Sequence, residues 1–189
     1  VVEELNALGI VIDLSHVGHK TTMEAIELSK DPVIFSHVGV LSIEKRPPAN
    51  MRNKSDEAIK AMAEKGGVMG LIAYSPYVRH GEIPTIEEYM NHLDYVVSLV
   101  GVDHVGIGLD GPAEERSFTD FAYQYPELAL DYGYTWQNIL VTDLNGPGVS
   151  KGEERLVNLA RGLVSRGYSD QEIRKVYGDN FLRVFEKVW

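Results

Sequence analysis

Residues 12–38 read IDLSHVGHKTTMEAIELSKDPVIFSHV, and this stretch decides the fold class. Two continuously apolar runs, GIVIDL at residues 9–14 and PVIFS at residues 32–36, enclose a segment with helical periodicity at residues 21–29. Strands that are apolar on both faces are typical of a parallel sheet covered by helices. The stretch therefore predicts a strand, a threonine-capped helix and a second, parallel strand. The helix is expected to turn three side chains inward: Met23, Ile26 and Leu28.

The same alternation continues along the chain. Two more apolar runs predict buried strands, GVMGLI at residues 67–72 and HVGIG at residues 104–108. Alternating strands and helices predict an α/β fold with a parallel sheet, whose commonest closed form is the TIM-type (β/α)8 barrel of about 250 residues. With 189 residues, the chain accounts for about half of such a barrel. Further helices are predicted at residues 55–65, 85–100, 153–166, 169–177 and 180–188.

Two segments fall outside this rhythm. The first residues, VVEELNALGIVIDL, read as the end of a helix that runs into a buried strand, so we expect the chain to begin inside a domain. The segment between Asp110 and Lys151 lacks clear periodicity and is rich in tyrosine, glycine and proline. Its aromatic content favours an ordered loop that packs on the rest of the domain.

The composition limits the possible functions. The formal net charge is −10 and the acidic residues are spread along the chain, which argues against a nucleic-acid partner because phosphate binding requires a basic surface. There is no cysteine, so His, Asp and Glu must hold any metal. No apolar stretch reaches membrane-spanning length. A chain without cysteine is compatible with the cytoplasm and, in a bacterium, with the periplasm.

Polar side chains stand directly after three of the predicted strands. His16 follows the first strand, His37 the second and Asp110 the fourth. The C-terminal ends of the strands meet at one face of an α/β barrel, so we expect these side chains to cluster. Neutral imidazoles bind zinc well, and the carboxylate could ligate the metal or take a proton from metal-bound water. The alternatives are ordinary hydrogen-bonded histidines and, for Asp110, a turn aspartate before a glycine.

Other polar residues near these strand ends could support such a site. Asp13 lies inside an apolar strand and needs a partner, so it either orients a ligand or is satisfied by backbone donors. Arg46 and Arg52 flank a Pro-Pro loop that follows His37. An arginine beside a metal can bind a substrate carboxylate through both arms of its guanidinium, and an ordinary surface-loop arginine is the alternative.

Several segments together resemble one known family. Residues 12–40, with their DxSH and FSH strand ends, resemble the second metal-binding region of the membrane (renal-type) dipeptidases, peptidase family M19. MRNKSDEAIKAMAEKGGVMGL at residues 51–71 is similar to the family's RN segment, and HLDYVVSLVGVDHVGIGLDG at residues 92–111 to its DHVGIG segment. GYSDQEIRKVYGDNFLRVFEKV at residues 167–188 is similar to its C-terminal signature. The loop at residues 112–149 is the least similar part.

The resemblance implies a zinc-dependent dipeptidase that hydrolyses the peptide bond of dipeptides by a metal-bridged hydroxide. It implies a TIM-type barrel of the metal-dependent hydrolase type, with residues 1–189 as the C-terminal half of one domain and about the last four βα units. Each complete active site would hold two zinc ions, of which His16 and His37 bind the second. Arg52 would bind the carboxylate of the substrate, and Asp110 would handle the proton of the bridging water.

The chain departs from the family pattern in three places. EKRPPA at residues 44–49 lengthens the loop after His37, so the carboxylate anchor could move to Arg46. The family's DFDG motif reads Asp-Gly-Pro at residues 110–112. The family's HxD pair and bridging glutamate are absent, and we expect them in an N-terminal half, upstream or on another chain.

Two other functions stay open at this point. One is a related amidohydrolase that acts on another amide or on a lactam. The other is a catalytically incomplete half-barrel that serves as a binding or structural module. Because an open half-barrel exposes sheet edges and apolar surface, we also expect assembly with a second chain as a homo-oligomer, namely a dimer.

Overall fold

The computed structural model describes residues 1–79, 84–110 and 154–189. This part of the chain contains a four-stranded parallel sheet in which the strands lie in their sequence order. The predicted α/β fold and the positions of all four predicted strands are confirmed. The strands are β1 (Ile12–Asp13), β2 (Val33–Val38), β3 (Val68–Leu71) and β4 (Val105–Ile107).

Helices connect the strands and follow the last of them. The predicted helices are confirmed, except that the helix predicted at residues 169–177 is α-helical only over Asp170–Arg174 and continues as a π-helix over Lys175–Asp179. Two short helices, Ala49–Arg52 and Ser75–Val78, were not predicted. The aromatic loop between Asp110 and Lys151 lies outside the described residues, apart from Asp110 itself. No helix in the described ranges is both long and apolar enough to cross a membrane. The helices are α1 (Val2–Ala7), α2 (His19–Leu28), α3 (Ala49–Arg52), α4 (Asp56–Glu64), α5 (Ser75–Val78), α6 (Ile86–Val100), α7 (Glu154–Ser165), α8 (Asp170–Arg174) and α9 (Asn180–Val188).

Side-chain hydrogen bonds cap the start of two helices. Ser55 accepts a hydrogen bond from the backbone N–H of Ala58 and starts α4. Thr85 and Glu88 form a reciprocal capping box at the start of α6. The threonine cap predicted for α2 is wrong, because α2 begins at His19 after Gly18, which makes no side-chain cap hydrogen bond.

The inward stripe predicted for α2 is only partly right. Ile26 is buried and Met23 is partly buried, but Leu28 is 61% exposed. Residues two apart on an α-helix point to opposite sides, so Leu28 cannot share the buried side of Ile26. Ala25 completes the buried stripe instead.

The hydrophobic core lies on both sides of the sheet. Val33, Phe35, Met69, Leu71 and Val105 are fully buried strand residues. These five side chains pack against α2, α4 and α6. On the opposite face of the sheet, Ile34 and Val68 pack against Val184 and other side chains of α9. Burial on both faces explains why the strands appear as continuous apolar runs in the sequence.

The C-terminal signature holds the end of the chain against β4. Asn180 is buried, and its amide donates to the carbonyls of Val102 and Val105, both at 2.7 Å. Arg183 donates to the carbonyls of Gly66 and Asp103. These contacts fix the N-terminal ends of β3 and β4, opposite the strand ends that carry His37 and Asp110.

The C-terminal half of β2 is irregular. The pairing of β2 with β3 shifts register between Phe35 and Val38, so Ser36 and His37 lie in a bulge. The carbonyl oxygen of Ser36 leans over Gly70 and Gly108, where an added Cβ would lie 2.1 Å from it at either glycine. A bulge re-aims the side chains that it carries, and here it sets the direction of His37.

We predict that Gly70→Ala destabilises the protein by at least about 2 kcal/mol, because the new methyl group overlaps a backbone carbonyl that cannot rotate away. Denaturant unfolding of the full-length protein measures the effect. Gly18→Ser is the control, since nothing lies within 4 Å of its added Cβ and serine is a favourable N-cap residue. Equal stability of the two variants would contradict the role assigned to Gly70.

Candidate functional site

The two histidines expected at the strand ends lie side by side. His16 follows β1 and His37 lies in the bulge of β2. Their Nε2 atoms are 3.0 Å apart, and the ring centroids are separated by 5.0 Å with a tilt of 57°. Two histidines 21 positions apart in the sequence therefore each direct their Nε2 atom at the same point.

Arg52 is the arginine that reaches this pair. From the end of α3, its Nη1 donates to the carbonyl of Ser15 at 2.5 Å, and its Nη2 donates to Nε2 of His16 at 3.0 Å. Nη2 also donates to the carbonyl of His37 at 3.1 Å, and the ring of Tyr77 lies 5.8 Å from the guanidinium carbon. The guanidinium thus spans the ends of both strands.

Arg46, the alternative anchor, is engaged elsewhere. Its guanidinium donates from Nε and Nη2 to the two carboxylate oxygens of Glu44, at 3.0 and 2.6 Å. Glu44 is only 4% exposed, so this bidentate ion pair compensates a buried charge. The inserted segment therefore folds around its own ion pair, and Arg52 keeps the position beside the histidines.

Asp110 completes the group of residues that the sequence singles out. It follows β4 with φ at +52°, a left-handed conformation that aspartate tolerates. Its Oδ2 lies 3.7 Å from Nε2 of His37, beyond hydrogen-bond length but within reach of an ion pair. His16, His37, Arg52 and Asp110 thus all meet at one edge of the sheet.

Asp13 fastens the ends of β1 and β2 to each other. Its Oδ1 accepts the backbone N–H groups of Ser15 and Ser36, both at 3.0 Å, and the hydroxyl of Ser15 at 2.7 Å. Its Oδ2 accepts the hydroxyl of Ser36 at 2.5 Å. Burial raises the pKa of Asp13, but the hydrogen bonds from Ser36 and Ser15 outweigh it and lower the pKa below its ordinary value. Asp13 therefore has the backbone donors expected for it. It also accepts from the hydroxyl of Ser36, which in turn lies within hydrogen-bond distance of Nδ1 of His37.

The electrostatics keep His16 neutral. Burial lowers the pKa of His16, and the charge of Arg52 and the neighbouring ring of His37 lower it further, against smaller opposing effects of Asp110 and Asp13. Neutral imidazole is the form that binds metal ions. The surroundings of His16 thus favour the state that a metal ligand needs.

The geometry of the histidine pair fits a metal ion. Nη2 of Arg52 can only donate, so Nε2 of His16 presents its lone pair. Two nitrogens bound to one tetrahedral zinc at about 2.0–2.1 Å lie roughly 3.3 Å apart, close to the 3.0 Å between the two Nε2 atoms. In residues 1–79, 84–110 and 154–189, no three His, Asp or Glu side chains form a group that could hold a metal ion. The described residues therefore offer two ligands, and further ligands would have to come from outside them.

The other described histidines have local partners. His19 lies 3.5 Å from both Ser55 and Glu57 at the surface. His92 is buried and bonds the carbonyl of Val78, and His104 bonds the carbonyl of Gly67. These contacts give His19, His92 and His104 local structural roles away from the histidine pair. His80 lies outside the described residues.

Lys54 is a buried residue near the site that the sequence gives no reason to single out. It is 4% exposed, and its ammonium group donates to the carbonyl of Val17 at 2.6 Å and to Thr22 at 3.1 Å, 5.1 Å from the ring centre of Phe35. Burial lowers its pKa to about 8, helped by the charge of Arg52. Lys54 thereby ties the segment that follows His16 to the loop that carries Arg52.

Comparisons with known proteins agree with this architecture. The family described as Membrane dipeptidase (Peptidase family M19) matches residues 1–130. Dipeptidase verJ from Clonostachys rogersoniana is 30% identical in an alignment of 190 residues that covers 100% of this chain and 40% of that protein.

Solved structures also match. An amidohydrolase from Pseudomonas aeruginosa is 36% identical with a TM-score of 0.78, over 100% of this chain and 55% of that one. A metallopeptidase from Rhodobacter sphaeroides, solved with a phosphinate mimic of the dipeptide L-Ala-D-Ala, shares the fold at 22% identity and a TM-score of 0.74. The match covers 100% of this chain and 45% of that one. The chain thus spans between 40% and 55% of the length of these relatives.

We predict that the stability of the protein increases with pH because of Lys54. Its pKa is about 8 in the folded state and 10.5 in an ordinary setting, so between these values the unfolded chain holds a proton that the folded state has lost. Wild type should therefore gain stability relative to Lys54→Met as the pH rises from 8 to 10.5. Denaturant unfolding of both proteins across this range measures the difference, and a difference that does not change with pH would contradict the prediction.

Proposed function

Because the chain belongs to the membrane dipeptidase family, peptidase family M19, we propose that it contributes to a zinc-dependent dipeptidase. In this proposal residues 1–189 form the C-terminal half of a single TIM-type (β/α)8 barrel, as about its last four βα units. The observation that carries the proposal is the convergence of His16, His37 and Arg52 on two adjacent strand ends. A homodimer, in which apolar side chains exposed on α7 such as Leu156 and Val164 become covered, is part of the proposal.

His16 and His37 would hold one of two zinc ions through their Nε2 atoms. Zinc in such a site polarises the scissile carbonyl and lowers the pKa of a bound water. The remaining ligands would come from outside the described residues. His16 is suited to its role because its lowered pKa keeps it neutral.

Arg52 would bind the carboxylate of the dipeptide. Its Nη2 donates to Nε2 of His16, and this acceptor is lost once the same nitrogen binds a metal. Nη2 then has to exchange the imidazole for another acceptor, and a substrate carboxylate offers the bidentate geometry that a guanidinium prefers. The bond from Nη1 to the carbonyl of Ser15 keeps the side chain in place during this exchange.

Asp110 would act as the general base and then as the general acid. Its Oδ2 lies 3.7 Å from Nε2 of His37, so the carboxylate would be close enough to a metal held by that nitrogen to accept a proton from a water bound there. It takes a proton from this water and delivers a proton to the nitrogen that leaves as an amine. The left-handed backbone at Asp110 turns the carboxylate toward the histidines at the end of β4.

A related amidohydrolase is the second candidate. The 36% identity to an amidohydrolase from Pseudomonas aeruginosa favours it, since that match covers 100% of this chain. The two functions differ in what they require at the C-terminal side of the scissile bond. A dipeptidase needs a free carboxylate there, whereas an enzyme for another amide or a lactam does not.

For the metal, we expect about two zinc ions per chain in the full-length wild type. His16→Ala and His37→Ala should each lose at least one of them and abolish hydrolysis of alanyl and glycyl dipeptides. His19→Ala is the matched control, because His19 lies three residues from His16 but bonds only at the surface. Elemental analysis after gel filtration gives the count, and an unchanged count in both His16→Ala and His37→Ala would exclude this site.

For the carboxylate, Arg52→Lys should raise the KM for dipeptides roughly tenfold or more, because an ammonium group cannot replace a bidentate guanidinium. Arg46→Lys is the control, because Arg46 is held by Glu44. Steady-state kinetics on a dipeptide and on its C-terminal amide separate the two candidate functions. A wild-type enzyme that hydrolyses both substrates equally well, with no effect of Arg52→Lys, would favour the amidohydrolase.

For proton transfer, Asp110→Asn should lower kcat by about 10²–10⁴-fold while the zinc content stays constant. Asparagine tolerates the same left-handed backbone, so the loop should keep its shape. Measuring kcat and zinc together distinguishes a base from a ligand. Loss of zinc from this variant would show that Asp110 binds metal instead.

A further inference from the structure

A directed chain of hydrogen bonds lies behind His37, on the side away from His16. Nδ1 of His37 is 2.6 Å from the hydroxyl oxygen of Ser36, and this hydroxyl is 2.5 Å from Oδ2 of Asp13. The carboxylate, the hydroxyl and the imidazole thus form a relay that ends at the ring whose Nε2 faces His16.

The direction of this relay follows from the chemistry of its members. An ionised carboxylate only accepts, so the single hydroxyl proton of Ser36 points to Asp13. In its hydrogen bond with His37, the oxygen of Ser36 must therefore be the acceptor. This requires the imidazole to carry a proton on Nδ1. In the neutral ring, Nε2 is then the nitrogen with the lone pair. Because Nε2 of His16 also presents its lone pair, the 3.0 Å contact between the two Nε2 atoms carries no proton, and a cation shared by both nitrogens would stabilise it.

The carboxylate itself is fixed. Oδ1 of Asp13 accepts three donors, the backbone N–H groups of Ser15 and Ser36 and the hydroxyl of Ser15. The Ser15 hydroxyl oxygen in turn accepts the backbone N–H of His37 at 3.1 Å. With Oδ1 held by these three donors, Oδ2 has one orientation, toward Ser36.

We propose that Asp13 and Ser36 are positioning residues that hold the proton of His37 on Nδ1, so that Nε2 is the nitrogen presented to the metal. This inference rests on the proposed metal site at His16 and His37. A hydrogen bond at the second ring nitrogen commonly orients a metal-bound histidine, and here a serine transmits the effect of the Asp13 carboxylate. In His16 the lone pair is also on Nε2, because Nη2 of Arg52 donates directly to that nitrogen.

The isosteric variant Asp13→Asn tests the direction of the relay. Its amide oxygen has to replace Oδ1, since three donors point there, so the NH2 group faces Ser36. The oxygen of Ser36 then accepts from Asn, and its proton turns to Nδ1 of His37. The variant should therefore place the proton of His37 on Nε2, whereas Ser36→Ala merely removes the preference.

Two measurements on the full-length protein give the outcome. Nitrogen NMR of histidine-labelled, metal-stripped protein at pH 8.5 reports the tautomer of His37, identified by loss of its signals in His37→Gln. Competition with a chromogenic chelator gives the affinity for Zn²⁺. We expect the Nδ1–H form in wild type, the Nε2–H form in Asp13→Asn, and roughly 10- to 100-fold weaker Zn²⁺ binding in Asp13→Asn and Ser36→Ala. Ser36→Thr, which keeps the hydroxyl, should restore wild-type affinity.

Each contrary result has a definite meaning. The Nε2–H form in wild type overturns the inference, even if no variant folds. Wild-type Zn²⁺ affinity in both Asp13→Asn and Ser36→Ala overturns the inference and leaves the proposed metal site intact. Failure of wild type itself to bind Zn²⁺ overturns the proposed function and the inference together.

Discussion

The carboxylate of Asp13 is the contact on which the site depends. It accepts four hydrogen bonds from Ser15 and Ser36, two from backbone N–H groups and two from hydroxyls. Each of these donors would cost about 1–3 kcal/mol if it were buried without a partner. Because the donors come from two different strand ends, their shared acceptor sets the distance between β1 and β2 at the edge of the sheet. That distance places Nε2 of His16 3.0 Å from Nε2 of His37.

The charges around the histidines form a balanced arrangement. Arg52 brings a positive charge to the pair and lowers the pKa of His16, while Asp110 lies on the side of His37. A metal ion would add positive charge beside Arg52, so the region around Arg52 and the two histidines would attract a negatively charged substrate group. In the loop that carries Arg52, the bidentate ion pair with Arg46 compensates the negative charge of the buried Glu44.

The sequence predicted the parallel α/β sheet and the proximity of His16, His37 and Asp110, because both depend on regular patterns. Continuous apolar runs mark the doubly buried strands, and polar residues placed directly after them converge where parallel strands end. Which loop residues form ion pairs or hydrogen bonds with each other follows no such pattern. That Arg52, and not Arg46, faces His16 depends on Glu44, a residue without any special signal in the sequence. The burial of Lys54 depends on acceptors at Val17 and Thr22 that only the folded chain brings together.

X-ray anomalous scattering at the zinc edge, from crystals of the full-length protein, tests the central claim most directly. The account predicts an anomalous peak about 2.0–2.1 Å from both Nε2 of His16 and Nε2 of His37, with the Ser36 hydroxyl still bonded to Nδ1 of His37. A zinc ion bound to Nδ1 of either ring, or a fully zinc-loaded enzyme with no peak at these two histidines, would contradict it.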